Sequence, residues 1–337
     1  MNIRNFVIGM AFNFFICAGL NATQIKGSGA TFPEPLYLKW AEAYEKMTGI
    51  HLDYQAIGSA GGIQQIESQV VDFGASDKPL QADELKKHNL VQFPAVMGGI
   101  VIIVNLREAE TQPIHLTPSI LARIFLGDIK NWSDPEIQKI NPDIKLPAKD
   151  ILVVHRSDGS GTTFLFTNYL SKVSPNWKRR VGEGTEVLWF VGVGEKGNEG
   201  VARYVKSAEG TIGYVEFGYA KQNNLKVTSL ENKDGQKVLP SLETFKAAAE
   251  NANWQGAQDY LILTNQPGKN TWPITGASFI LMQQSPASAE TTQAVQGFFN
   301  WCFENGQMIA QDLDYVPLPS TLVKLIQETW KTAFGVK

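Results

Sequence analysis

Apolar residues recur along this chain at helical and strand spacings in alternation. Leu36, Trp40, Ala43, Tyr44 and Met47 share one face of a 3.6-residue period, with Pro33 and Pro35 near the start and Gly49 as a terminator, so the spacing predicts a helix. Residues 51–57 alternate polar and apolar as a strand does, and Ile63, Ile66 and Val70 make a second helical stripe. Residues 97–106 (MGGIVIIVNL) read as a buried strand. Residues 151–155 read as a short strand leading into a Gly/Ser/Thr turn and a helix that contains Phe164 and Phe166. Near the end, Val295, Phe298, Phe299, Cys302 and Phe303 form one helix face, and Leu322, Leu325, Ile326 and Trp330 another. Strands alternating with helices point to an α/β fold with largely parallel sheets. No repeat, low-complexity segment or flexible linker interrupts the pattern.

The first residues stand apart. Residues 1–5 carry one positive charge, at Arg4, and 6–20 form a mostly apolar run broken only by Asn13. That run is short for a membrane span of about 20 residues, and the small Ala22 sits where cleavage would fall, so 1–22 read as a signal peptide. An uncleaved anchor or a buried N-terminal helix is the alternative. Lipid attachment at Cys17 is opposed by the bulky Ile16 before it. The full chain has a net charge of −3, which becomes −4 without Arg4. This argues against nucleic-acid binding, which rests on a concentrated basic surface. Of the two cysteines only Cys302 remains after cleavage, so no internal disulfide forms and core burial must hold the domain together. A mature chain of about 315 residues exceeds what one core usually serves, which predicts two domains. Two domains without a linker imply a chain that crosses between them as ordinary strands, the construction of hinged binding proteins.

The candidate chemistry lies in four short segments. Three are rich in Gly, Ser and Thr and precede a predicted helix: GSGATFPEP (27–35), GSAGG (58–62) and RSDGSGTT (156–163). Helix N-termini present unpaired N–H groups and the positive end of the dipole, and glycine lets an anion approach the backbone. One such segment is usually a plain turn or cap; three together would make an anion cage of neutral donors. The fourth, VDFGASDKPL (71–80), adds the carboxylate Asp77, whose sign looks wrong for an anion site. A carboxylate only accepts hydrogen bonds, so it tolerates an oxyanion that still carries a proton, as phosphate does near neutral pH, and repels sulfate, which has none.

Other patterns lead elsewhere. Residues 192–197 (GVGEKG) match G-x-G-x-x-G after the strand-like 187–191 and before a helix, but no second nucleotide feature accompanies them. His51, His88, His115 and His155 form no metal-ligand spacing, and no G-x-S-x-G elbow surrounds Ser160 beside His155. Trp40 and Trp330 sit on apolar helix faces and read as core rather than as a sugar-stacking groove. A secreted phosphatase would also cradle phosphate, yet such enzymes usually need a metal cluster or an activated nucleophile, and neither is legible here.

The segments GSGATFPEPLYLKW, YQAIGSAGGIQQI, VDFGASDKPL, VVHRSDGSGTTFLFTNYL, GNEGVARYV, GTIGYVEFGYAKQNNL, TWPITGASFIL and LDYVPLP, in this order, resemble the periplasmic phosphate-binding proteins of the high-affinity phosphate ABC transporter. The resemblance runs from about Gly27 to Trp330. It implies a two-lobed binding protein of the type II, Venus-flytrap kind, with a mixed, mainly parallel sheet in each lobe and a hinge. It further implies that phosphate is held by Ala30, Thr31, Phe32 and Ser59, by Asp77 as acceptor of the phosphate proton, by Arg156, and by Ser160, Gly161 and Thr162. Asp158 would pair with Arg156 behind the site. Lys78 and Cys302 receive no role. The expected division is 23–100 plus 276–337 for the first lobe and 101–275 for the second. The implied partners are inorganic phosphate, membrane permease subunits and cytoplasmic ATPase subunits; the implied location is the periplasm; no catalysis and no cofactor are implied.

Overall fold

The computed structural model describes residues 24–253, 261–285 and 288–335, so the expected signal peptide, with Cys17, lies outside the described residues. The strands are β1 (Gln24–Gly29), β2 (His51–Ala56), β3 (Phe73–Ser76), β4 (Leu90–Val104), β5 (His115–Leu116), β6 (Leu152–Arg156) and β7 (Val193–Glu195). They are followed by β8 (Thr211–Glu216), β9 (Lys226–Val227), β10 (Ser229–Glu231), β11 (Lys237–Val238) and β12 (Thr275–Gln283). One sheet runs in the order β2-β1-β3-β12-β4-β8-β6-β7, with β9 also beside β4; a small one runs β11-β10-β5.

The large sheet is mixed, but it is less parallel than the sequence implied. β1 runs parallel to β2 and β3, and β6 runs parallel to β7 and β8, whereas β3, β12, β4 and β8 pair antiparallel through the middle. The reason is β4, a strand buried along all 15 residues. It pairs through Leu90–Gly99 with β12 and through Ile100–Val104 with β8, so one strand joins the two halves of the sheet. The sequence expectation placed this strand at 97–106, and the structure begins it earlier, at Leu90, and ends it at Val104. In the structure Pro94 lies opposite the register shift at Ser278/Phe279, where the ladder is already interrupted and the missing N–H is tolerated.

Helices cover the sheet as their apolar stripes dictate. The Glu34–Thr48 helix buries Leu36, Tyr37, Trp40 and Tyr44 and ends at Gly49 in the left-handed region (φ 75°), while Met47 stays exposed. The Ser59–Glu67 helix stops short of Val70, which is exposed, because Gln69 takes a positive φ of 57° and turns the chain. The Ala289–Asn305 helix buries all five expected residues; the Ser320–Phe334 helix buries Leu322, Ile326 and Trp330 and leaves Leu325 outside. Edge-on aromatic contacts tie Tyr37, Phe73 and Phe93 to Phe299, and Phe93 to Trp330, around the first half of the sheet. In the second half Phe125 meets Phe166 edge-on and Tyr214 at a tilt, and Phe166 stacks on Tyr214. Each such side chain contributes about 1.5–3 kcal/mol on burial, and among the described residues Cys302 is a free, buried thiol, so the core here is held by packing.

Candidate functional site

The three Gly/Ser/Thr segments do open helices, and the fold turns their ends toward one another. β1 delivers residues 30–32 to the Glu34–Thr48 helix, β2 delivers 57–58 to the Ser59–Glu67 helix, and β6 delivers 157–160 to the Gly161–Val173 helix. Gly58 is glycine for two reasons: its φ is 93°, and a Cβ there would lie 2.7 Å from both Asp158 Oδ2 and Gly159 O. The Ala60 N–H donates to Gly159 O at 3.0 Å, joining the first half of the molecule to the second. Gly161 is closer still. A Cβ on it would overlap Ser59 Oγ and come within 2.5 Å of Asp77 Oδ2, so only glycine lets the third helix end meet the other two.

Asp77 is the least satisfied group at this junction. It is 1% exposed, and neither carboxylate oxygen has a hydrogen-bond partner among the described residues. Burial pushes its carboxyl up to about 7, opposed by the neighbouring Ser278 hydroxyl and the Arg156 charge. A buried acceptor left unpaired costs about 1–3 kcal/mol or more, which marks the place as built for a donor from outside the chain.

The donors around it follow the same logic. Among the described residues, the N–H groups of Thr31, Phe32, Ser59, Gly161 and Thr162 reach no acceptor. Each hydroxyl of the site already accepts from the protein: Ser59 Oγ from Asp77 N (3.1 Å), Ser160 Oγ from Thr163 N (3.1 Å), Thr31 Oγ1 and Thr162 Oγ1 from Asn198 Nδ2 (2.7 and 3.2 Å). A hydroxyl that accepts retains one proton to donate, so all four are available to a guest acceptor. Ala30 differs. Its N–H donates to Ala75 O (2.9 Å) and its carbonyl accepts from Tyr54 Oη (2.6 Å), so it offers wall and no donor.

Arg156 supplies the formal positive charge and is 3% exposed. Its Nε donates to Asp158 Oδ1 (2.7 Å) and its Nη2 to Asp158 Oδ2 (2.5 Å), a bidentate pair that fixes the fork and offsets its charge. Nη1 donates to Thr162 Oγ1 at 3.4 Å. Burial alone would raise Asp158, but the hydrogen bonds and charge of Arg156, with the Gly197 N–H, hold its carboxyl below the usual range.

Asn198 was not singled out from sequence. Its side chain bridges Thr31 in the first half and Thr162 in the second, and its Oδ1 accepts from Glu216 N (3.0 Å). The signal was present: the glycine run 192–197 that imitates a dinucleotide fingerprint is the approach to this residue. The strand there is β7, at Val193–Glu195 rather than 187–191, and the helix that follows, Gly197–Ser207, aims its first residues at Thr31 and Asp158.

A mixed sheet in two halves, with helix ends converging on a shared buried junction, defines a two-lobed solute-binding protein. A family model described as a PBP superfamily domain matches residues 18–305, and the chain belongs to that superfamily. Within it, the chain belongs to the PstS family. It is 55% identical to the phosphate-binding protein PstS of Haemophilus influenzae, covering 92% of this chain and 93% of the relative. It is 52% identical to the protein of the same name from Pasteurella multocida, covering 98% and 96%. Among solved structures it is similar in fold to a high-affinity periplasmic phosphate-binding protein, PfluDING, bound with phosphate (TM-score 0.71, 21% identity, covering 91% of this chain and 93% of that one). It is also similar in fold to a putative phosphate ABC transporter substrate-binding protein with bound phosphate from Clostridium perfringens (TM-score 0.65, 19% identity, covering 88% and 100%).

Proposed function

We propose that this protein binds inorganic phosphate between two lobes as the extracytoplasmic component of an ABC importer and delivers it to the membrane permease. The observation that carries the reading is Asp77, a buried carboxylate with both oxygens unpartnered, set among donors that have spare protons. A site of donors alone would suit any oxyanion. One acceptor among them asks for an oxyanion that still bears a proton, and near neutral pH phosphate meets that demand while sulfate does not. The names of the close relatives support the same ligand.

In this reading Thr31, Phe32, Ser59, Ser160, Gly161 and Thr162 donate to phosphate oxygens. Arg156 adds one charge-assisted contact, Asp77 accepts the phosphate proton, Ala30 shapes the wall, and Asp158 holds Arg156. Each hydrogen bond to a charged oxygen is worth roughly 1.5–3 kcal/mol, and ordering and desolvation offset much of the total. The lobes are 23–100 plus 276–337 and 101–275. The division is supported by the exchange of partners along β4 at Gly99/Ile100 and by Thr275, which pairs with Gly99 at the start of β12. The permease and its ATPase subunits are the partners, the periplasm is the location, and the role is binding without turnover.

Titration calorimetry of residues 23–337 tests this. Phosphate is expected to bind with micromolar or tighter Kd and sulfate about 10⁴-fold more weakly, the discrimination reached by sites built on a specific hydrogen bond. Equal affinity for both anions, or binding of neither, overturns the reading.

A further inference from the structure

Three tyrosine hydroxyls grip three consecutive carbonyls of the anion loop. Tyr54 donates to Ala30 O (2.6 Å), Tyr219 to Thr31 O (2.8 Å) and Tyr315 to Phe32 O (2.7 Å). They arrive from β2, from the short helix after β8 and from the segment beside Met97. A peptide unit is planar, with its C=O and N–H pointing in opposite directions. Gripping Ala30 O therefore aims the Thr31 N–H, and gripping Thr31 O aims the Phe32 N–H.

Two of the tyrosines make a second contact. Tyr219 Oη also lies 2.7 Å from Glu34 Oε2, and Tyr315 Oη lies 2.9 Å from Glu216 Oε2. A phenol has one proton. Having given it to a backbone carbonyl, each tyrosine can only accept from the carboxyl, which then must carry a proton itself. An ionised carboxylate would either take that proton, leaving the carbonyl facing a bare phenol oxygen at 2.7–2.8 Å, or face the phenol lone pairs directly.

We propose that Tyr54 and Tyr219 are positioning residues that aim the phosphate-binding N–H groups of Thr31 and Phe32, that Tyr315 holds the Phe32–Pro33 peptide and so fixes the helix side of the same turn, and that Glu34 and Glu216 back Tyr219 and Tyr315 as neutral carboxylic acids. This rests on the reading of 31–32 as part of the phosphate site. The surroundings favour neutral acids. Glu216 is fully buried, with Oε1 unpartnered, and burial pushes it up to about 8, opposed by the Gly218 N–H and Tyr315 and reinforced by Asp314. Asp314 is itself paired with Lys221. Glu34 is raised first by burial and also by Glu199, against the hydrogen bond from Tyr219. Tyr219 and Tyr315 are held well above the usual phenol range, so they stay protonated. The sign follows: below the carboxyl pKa the relay is complete, and as pH rises past it ionisation breaks the chain and phosphate binding weakens.

The test has two readouts. In protein labelled with ¹³C at glutamate carboxyls, the resonance lost in Glu216→Gln is expected to titrate near pH 8 without phosphate present, and the one lost in Glu34→Gln above the ordinary glutamate range. If both carboxyls are ionised at pH 6, the relay is refuted whatever the protein binds. Phosphate Kd measured from pH 6 to 9.5 is then expected to worsen in the parent relative to Glu216→Gln by up to about tenfold per unit above pH 8. The titration of phosphate itself cancels in that ratio. A ratio that stays flat overturns the relay's role in binding. Tyr315→Phe keeps the ring against Phe32 and removes the phenol, whose hydrogen bond opposes the rise of Glu216, and it is expected to move the Glu216 titration further up; no change refutes the contact. Failure to bind phosphate in every protein sinks the proposed function instead, while the carboxyl titrations still decide the relay.

Discussion

At the scale of single residues, the site depends on one carboxyl whose charge is conditional. Asp77 is pushed up to about 7, so below that pH it acquires a proton and can donate to an oxyanion that has none. Sulfate binding to the parent protein is therefore expected to strengthen, by up to about tenfold per unit, as pH falls from 8 toward 7, and to level off below 7. Asp77→Asn fixes a neutral group with the same shape, and its amide can turn N–H₂ toward an unprotonated oxygen. Its sulfate affinity is expected to be measurable at pH 8 and flat with pH, with phosphate affinity reduced only modestly. Competition binding of both anions across pH 5–8 checks both statements. A variant that excludes sulfate as strictly as the parent would assign the discrimination to cage geometry.

At the scale of elements, a strand delivers each of the three helix ends proposed to face the anion to the junction, and its glycines set how closely the ends approach. Gly161→Ala places a methyl against Ser59 Oγ and Asp77, across the boundary between the halves, while leaving the Gly161–Val173 helix intact. Alanine also favours a helix by about 1 kcal/mol over glycine. The expected result is a protein as stable as the parent without ligand, with phosphate affinity lower by at least about 100-fold, because the closed arrangement is sterically blocked. Thermal unfolding with and without phosphate separates the two effects. A parent-like affinity would mean that the halves need not meet at Gly161. The same scale explains Asn198, whose side chain ties Thr31 to Thr162 across the boundary.

At the scale of the whole molecule, β4 gives the two halves a common strand, and the proposed anion contacts are drawn from both. Hinged proteins of this kind close when ligand bridges the lobes. Phosphate is expected to compact the protein in solution scattering and to raise its melting temperature, since a ligand bound only by the native state adds about 2.7 kcal/mol at a hundredfold excess over Kd. Superimposable scattering profiles with an unchanged melting point would show that no closure accompanies binding.

Local chemistry made the Gly/Ser/Thr turns, the helices behind them and the odd carboxylate Asp77 readable in the sequence, because caps, apolar periods and glycine runs act over a few neighbouring residues. The resemblance added which of these are expected to face the ligand. Tertiary structure decided what no local pattern carries. Pro94 stands inside β4 because β4 itself bulges there, with Ala95 left out of register between Val96 and Pro94, so the ladder is already interrupted where the donor is missing. The antiparallel middle of the sheet pairs β4 with β12, whose partners lie from 176 (Gly99, Thr275) to 193 (Leu90, Gln283) positions apart in the chain. Ala30 lost its place among the donors because Ala75 and Tyr54 engage both its polar groups. Asn198, Glu216 and the three tyrosines escaped notice for the same physical reason. The contacts that tie Asn198 to Thr31 and Thr162, Glu216 to Tyr315, and the tyrosines to residues 30–32 span 24 to 283 positions in sequence, and a hydrogen bond between distant segments leaves no periodicity to read.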